Sequence, residues 1–220
     1  MNILQKHELL EIEVLDLLHR FKALEPLVFG GGSMLRLCHD LNRYSVDLDF
    51  WFIKDLEEDE FFEKVRESLE KDYEITDAQM KHLTLIFELR TSLYPKRLKI
   101  EIRRGRKNWD FQEKIAFSRF STRQVILKSI TLKQSMKNKV SAFLDRGEIR
   151  DCFDIEFLLR KGLAMPSLDP ESLKKFQKKL QGFKKADFKV KLGSILEEDM
   201  RRYYIANGFS YLQEKLQILE

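Results

Sequence analysis

Several things that would mark a function outright are scarce in this chain. Its two cysteines, Cys38 and Cys152, are too few among 220 residues for a disulfide framework. They also lack metal-ligand spacing, so both read as free, buried thiols. The four histidines, His7, His19, His39 and His82, are scattered, and neither a Ser-His-Asp nor a Cys-His constellation can be assembled from them. No apolar run approaches the ~20 residues of a membrane helix. The N-terminus holds no secretory apolar core, which points to a cytoplasmic protein without a membrane partner. The Gly-Lys-Ser/Thr ending of a Walker loop is missing, as is the Gly-x-Gly-x-x-Gly of a dinucleotide fold. Internal repeats and low-complexity segments are absent too.

Glycine is sparse as well, nine residues in all, yet Gly30, Gly31 and Gly32 are consecutive. Seventeen phenylalanines and a 43% hydrophobic content are ample for a core. The net charge of +4 is unevenly spread: residues 96–139 hold fourteen Lys/Arg against three Asp/Glu, while 54–77 is acidic. Such a basic stretch is either the footprint of a polyanionic partner such as nucleic acid or a solvated basic face.

Periodicity divides the chain. Helical spacing of Leu9, Leu10, Ile12, Val14, Leu15, Leu17, Leu18 and Phe21 predicts an amphipathic helix over 3–24, ended at Glu25-Pro26. A short strand at 27–29 runs into the glycine loop, and Ser33 is placed to start the next helix. Val46, Leu48, Phe50 and Phe52 then alternate with Asp47, Asp49, Trp51 and Ile53. An acidic helix is expected over 57–71, and strands over 82–90, 97–103 and 124–127. Residues 105–122 read as a basic, aromatic-containing loop. From Thr131 the pattern is helical: 131–146, 149–161, 170–181 and about 187–218. The expected fold is α+β, a mixed sheet with helices on one side (residues 1–128), followed by an all-helical C-terminal region (129–220).

Chemistry gathers at two places. A glycine loop entering a helix offers N–H groups and the positive end of a dipole to an anion, although such turns are also common without a ligand. Asp47 and Asp49, at i and i+2 of a strand, share one face roughly 7 Å apart. Glu101, between Ile100 and Ile102, repeats that setting on a second strand. Three acids on two apolar strands suit divalent cations bridging phosphate oxygens. The second place is 139–159, where Lys139, Arg146, Arg150 and Asp154 fall within about 80° of one face if a single helix runs through Gly147. That stripe is either an internal salt-bridge network or a set of phosphate ligands, and the two are compatible.

Taken together, these residues resemble a known family. Gly-Gly-Ser followed by Arg43, Ser45, Asp47 and Asp49 is similar to the first motif of the nucleotidyltransferase superfamily related to DNA polymerase beta. The run Lys139, Ala142, Arg146, Arg150-Asp151 and Asp154 resembles the distal motifs of AbiEii/AbiGii-type (MenT-like) nucleotidyltransferase toxins. The likeness spans residues 27–160. It implies the nucleotidyltransferase fold and a Mg2+-dependent transfer of a nucleoside monophosphate from an NTP to an acceptor, in the family RNA such as a tRNA 3′ end, opposed by a cognate antitoxin. By the same resemblance Gly31, Gly32, Ser33 and Ser45 hold the nucleotide, and Asp47, Asp49 and Glu101 bind Mg2+. Lys139 neutralises phosphate charge, while Arg146, Arg150, Asp151 and Asp154 complete the site. Transfer to a small molecule or a protein side chain, and a non-catalytic RNA- or partner-binding role, are the alternatives.

Overall fold

The computed structural model describes residues 1–217. It divides into two compact units, one of residues 1–40 and 44–131, the other of residues 41–43 and 132 onward. In the first unit α1 (Ile3–Arg20) is followed by β1 (Leu27–Gly30), α2 (Gly31–His39), β2 (Asp47–Phe52), α3 (Glu58–Glu70) and β3 (Glu74–Met80). Then come β4 (Thr84–Arg90), β5 (Leu98–Arg103), β6 (Phe111–Phe117) and β7 (Gln124–Ile130). A capping box starts α1: the Gln5 N–H donates to the Asn2 side chain at 2.9 Å, and the Asn2 N–H donates to the Gln5 side chain at 2.8 Å.

The strands form one seven-stranded sheet ordered β3-β4-β5-β2-β1-β7-β6. It is mixed: β2 with β5 and β1 with β7 run parallel, and the remaining neighbours antiparallel. Period-two alternation decides what each face presents. Leu48, Phe50 and Phe52 of β2 are buried together with Leu85, Phe87 and Leu89 of β4 and Leu98, Ile100 and Ile102 of β5. These side chains meet the helices. The Phe52 ring lies 5.2 Å from Phe61 and the Phe87 ring 4.8 Å from Phe62, both partners on α3. Burial of each such side chain stabilises the fold by about 1.5–3 kcal/mol. Asp47, Asp49 and Trp51 point the other way and are half-buried. A one-residue slip of β2 would put its carboxylates into the core, so the apolar face also fixes their position.

Two strands escape the sequence reading, β3 and β6, and they are the two edges of the sheet. An edge strand is not covered on all sides and needs little apolar patterning. Only Ala116 of β6 is buried, whereas Phe111, Ile115 and Phe117 are exposed. Residues 105–122 are therefore not a loop throughout.

The helical unit contains α4 (Leu132–Arg146), α5 (Ile149–Arg160), α6 (Pro170–Gln181), α7 (Glu198–Asn207) and α8 (Ser210–Gln217), with a π turn at Asp187–Leu192 and a 3-10 turn at Gly193–Ile195. Its core includes Phe143 against Phe176 (4.6 Å) and Phe153 against Tyr204 (5.0 Å). Two expectations are corrected here. No helix runs through Gly147: this residue takes φ +70°, a region that favours glycine, and its N–H donates to the Phe143 carbonyl as α4 ends. Nor is 187–218 one helix, since it breaks around Gly193 and Gly208; its last predicted position, 218, lies outside the described residues. Among the described residues no helix is long and apolar enough to cross a membrane.

Candidate active site

The site of the α/β unit begins where β1 runs out. Gly31 opens α2 at φ +72°, and a Cβ at that position would overlap the Asp49 carboxylate. Loop backbone and carboxylate are thus in direct contact, an approach open only to glycine. Replacing Gly31 by alanine combines a left-handed backbone cost of about 1–2 kcal/mol with that overlap. We expect a melting temperature lower by roughly 4–8 °C, for a total near 2 kcal/mol. Thermal unfolding followed by circular dichroism measures it, and an unchanged midpoint would show that the loop yields freely.

Ser33 is fully buried. Its hydroxyl donates to the Asp47 carbonyl at 2.5 Å and lies 3.2 Å from Glu11 Oε1. Burial, reinforced by the nearby Glu8 charge, pushes the Glu11 carboxyl well above the usual carboxylate range. Ser33 Oγ thus sits between the Glu11 carboxyl and the carbonyl of the strand residue Asp47. His7 Nε2 lies 3.0 Å from the Val46 carbonyl, one residue earlier. The Ser33 side chain thus fixes β2. The N–H groups of the first turn of α2, which have no intrahelical acceptor, are the donors the loop can turn to an anion.

Across the parallel β2–β5 pair Asp49 stands opposite Glu101, and Asp47 opposite Lys99. Lys99 Nζ is 2.6 Å from Glu101 Oε1 and 3.9 Å from Asp47 Oδ2, and Arg103 reaches Glu101 Oε2 at 3.1 Å. The hydrogen bond that Lys99 donates to Glu101 raises the Lys99 pKa above its ordinary value; burial opposes this, and the Asp47, Glu101 and Asp49 charges add to it. Lys99 went unassigned in the sequence, although it sits on the same polar face as Glu101. Its signal was the alternation Lys99-Ile100-Glu101-Ile102-Arg103, which places two cations beside one acid.

Among the described residues no group of three or more His, Cys, Asp or Glu side chains is arranged to hold one metal ion. The donors are nevertheless of the right kind for a hard divalent cation. Mg2+ commonly takes one or two carboxylates and completes its shell with substrate phosphates and water. Asp47 and Asp49 meet that requirement in number and type.

In the helical unit Asp154 is fully buried and doubly held by Arg43, Nε to Oδ1 at 2.6 Å and a second guanidinium nitrogen to Oδ2 at 2.7 Å. Lys139 Nζ adds 2.6 Å to Asp154 and 3.5 Å to Asp151. Arg146 pairs with buried Asp151 through two hydrogen bonds of 2.8 Å. Burial works to raise the Asp154 pKa, but the charges of Arg43 and Lys139 and their hydrogen bonds outweigh it, leaving the carboxyl below its ordinary value. Lys139, Arg146, Asp151 and Asp154 are therefore brought together across two helices, with Arg43 joined to them. Arg150 is exposed on α5, and Ser45 is half-buried just ahead of β2. Neither side chain belongs to the ion pairs of these two clusters.

The family model for the nucleotidyl transferase AbiEii toxin of type IV toxin–antitoxin systems matches residues 15–204. Among solved structures, JHP933 from Helicobacter pylori is similar at a TM-score of 0.57 and 19% identity, covering 96% of this chain and 94% of that one. A candidate nucleotidyltransferase from H. pylori is similar at the same TM-score and identity, covering 96% of this chain and 97% of that one. At such identity the likeness concerns the fold. No curated protein matches.

Proposed function

As the chain belongs to the nucleotidyl transferase AbiEii toxin family of type IV toxin–antitoxin systems, we propose that it moves a nucleoside monophosphate from an NTP to an RNA acceptor such as a tRNA 3′ end, using Mg2+. One observation supports this above the others: the glycine loop touches Asp49, which stands opposite Glu101 on the neighbouring strand. An anion cradle and a cation-binding acid pair are thereby adjoining.

On this reading the N–H groups of Gly31, Gly32 and Ser33 receive phosphate oxygens at the positive end of α2. Asp47 and Asp49 hold the divalent ion, and Glu101, gripped by Lys99 and Arg103, supplies the third negative charge beside them. When bound, the ion would lower the pKa of the acceptor hydroxyl and offset charge on the phosphates. The acceptor oxygen attacks the α-phosphorus, its proton is released, and the bond to the β-phosphate breaks to free pyrophosphate. In the helical unit Lys139 is proposed to neutralise phosphate charge, with Asp151 and Asp154 fixing its ammonium, and Arg146 and Arg150 to add cations for the nucleotide. Half-buried Ser45 is proposed as a further nucleotide contact.

The test is incubation with α-labelled NTPs, Mg2+ and total RNA, beside an Asp49→Ala control. Label in RNA that depends on Mg2+ and on Asp49 is expected; absence of both transfer and NTP binding would overturn the proposal. Label on protein or on small molecules instead would move the acceptor. Growth arrest on expression, lost in the same variant and relieved by a cognate antitoxin, is expected of a toxin. Lys99 is a cation already seated among the acids, so it competes with the metal. Lys99→Met should lower the Mg2+ concentration for half-maximal activity by roughly fivefold, as removal of one nearby charge implies. An unchanged Mg2+ requirement would show that Lys99 and the ion do not compete.

A further inference from the structure

Strand β2 presents Trp51 on the same face as Asp47 and Asp49, away from the helices that cover the core. Trp109, from the segment leading into β6, packs on it with ring centroids 4.7 Å apart and planes inclined by 52°. Both indoles are half-buried. The segment bearing Trp109 is pinned to the sheet and its flank: the Lys107 N–H donates to the Phe52 carbonyl at 2.8 Å, and Arg106 pairs with Asp55 at 3.0 Å. The aromatic pair is therefore held in place rather than carried on an untethered loop.

Its position relative to the acids follows from two consecutive glycines. A Cβ on Gly30 would overlap Trp51 Cζ3 and lie 3.2 Å from both Trp51 Cη2 and Ile130 Cδ1. A Cβ on Gly31 would overlap the Asp49 carboxylate. Neighbouring Cα atoms are about 3.8 Å apart. One residue of the loop thus faces an aromatic surface and the next faces a carboxylate, a separation that a single nucleoside spans. Residues 96–131, which include Trp109, hold eleven Lys/Arg against three Asp/Glu. Aromatic faces set in basic surroundings are how proteins receive unpaired bases, because every base offers a π-face.

We infer that Trp51 and Trp109 form a stacking platform for the nucleobase of a nucleotide bound at Asp47 and Asp49. The inference rests on the proposed nucleotidyl transfer and goes beyond it by giving the base its own subsite. The base belongs either to the NTP or to the 3′-terminal nucleotide of the acceptor RNA, and the experiment separates these sources.

These are the only two tryptophans in the chain, so intrinsic fluorescence of the full-length protein reports on the platform alone. The protein is titrated with ATP and Mg2+, with a single-stranded oligoribonucleotide, and with inorganic triphosphate and Mg2+ as a ligand lacking a base. Quenching by ATP assigns the platform to the NTP, and quenching by the oligonucleotide assigns it to the acceptor; triphosphate should leave the signal unchanged. Filter retention of the labelled ligand gives affinity independently. Trp109→Ala should weaken binding of the quenching ligand roughly 5- to 150-fold, the range that base–aromatic stacking spans, while Trp109→Phe should keep most of it. If Trp109→Ala does not fold, Trp109→Phe still reads Trp51 alone, whose quenching must persist. Labelled NTP or RNA that binds in an Asp49-dependent manner, with no change in fluorescence and none in the Trp109 variants, overturns the platform and leaves the proposed function standing. If no ligand binds at all, both fall.

Discussion

Asp49→Asn is expected to lower nucleotidyl transfer by at least about 10³-fold, which corresponds to ~4 kcal/mol of transition-state stabilisation. Asparagine keeps the shape of the side chain and removes its charge, so the contact with Gly31 is still accommodated, while the negative charge proposed to hold the cation is lost. Asp49 lies on the half-buried face of β2 rather than in the apolar core, so the fold should be preserved. Single-turnover label transfer, read beside thermal unfolding, separates chemistry from stability. A variant that melts like the wild type and retains more than a tenth of its activity would show that Asp49 is not a metal ligand in the reaction.

The largest effect on stability is expected in the other unit. Asp154→Ala should cost about 3–5 kcal/mol, because it leaves the Arg43 and Lys139 charges without the buried acid that holds them. For a chain of this size that is roughly 6–20 °C in melting temperature, measurable by thermal or urea unfolding. The pH dependence has a definite sign. Since the folded Asp154 pKa is depressed, its stabilisation is complete above the unfolded value of about 3.9 and is lost as pH falls through the lower, folded one. Wild type should therefore lose stability on acidification below about pH 4, and Asp154→Ala, already without that contribution, should show a shallower acid slope. Equal slopes would mean that Asp154 is not ionised in the folded protein. A loss under 1 kcal/mol would mean that water or other groups take over its role.

Where the candidate acids lie on the sheet could be read from alternation. Asp47 and Asp49 on one strand, and Glu101 on another, each stood between apolar neighbours, and the β2–β5 register sets Asp49 against Glu101. What alternation could not supply was charge balance. The acids looked in need of a metal, yet Lys99 and Arg103 at i±2 of Glu101 already provide cations, and the buried acids of the helical unit are answered by Arg43, Lys139 and Arg146. Nor could it supply direction: Ser33, placed at a helix start, turns its hydroxyl inward to the Asp47 carbonyl. Edge strands were the main loss in the fold. Glu74–Met80 is polar and only partly covered, and Phe111–Phe117 shows its apolar side chains to solvent. In the C-terminal region Gly193 and Gly208 mark both breaks, although apolar spacing continues through them.

The short segment 41–43 sets an order on synthesis. Arg43 and Asp154 are separated by 111 positions. At ordinary rates of translation the arginine leaves the ribosome on the order of ten seconds before its partner. The helical unit is therefore closed by a contact that must wait until Asp154 has been made. A nascent or prematurely terminated product ending before Asp154 holds Asp47, Asp49 and Glu101 but lacks that closure.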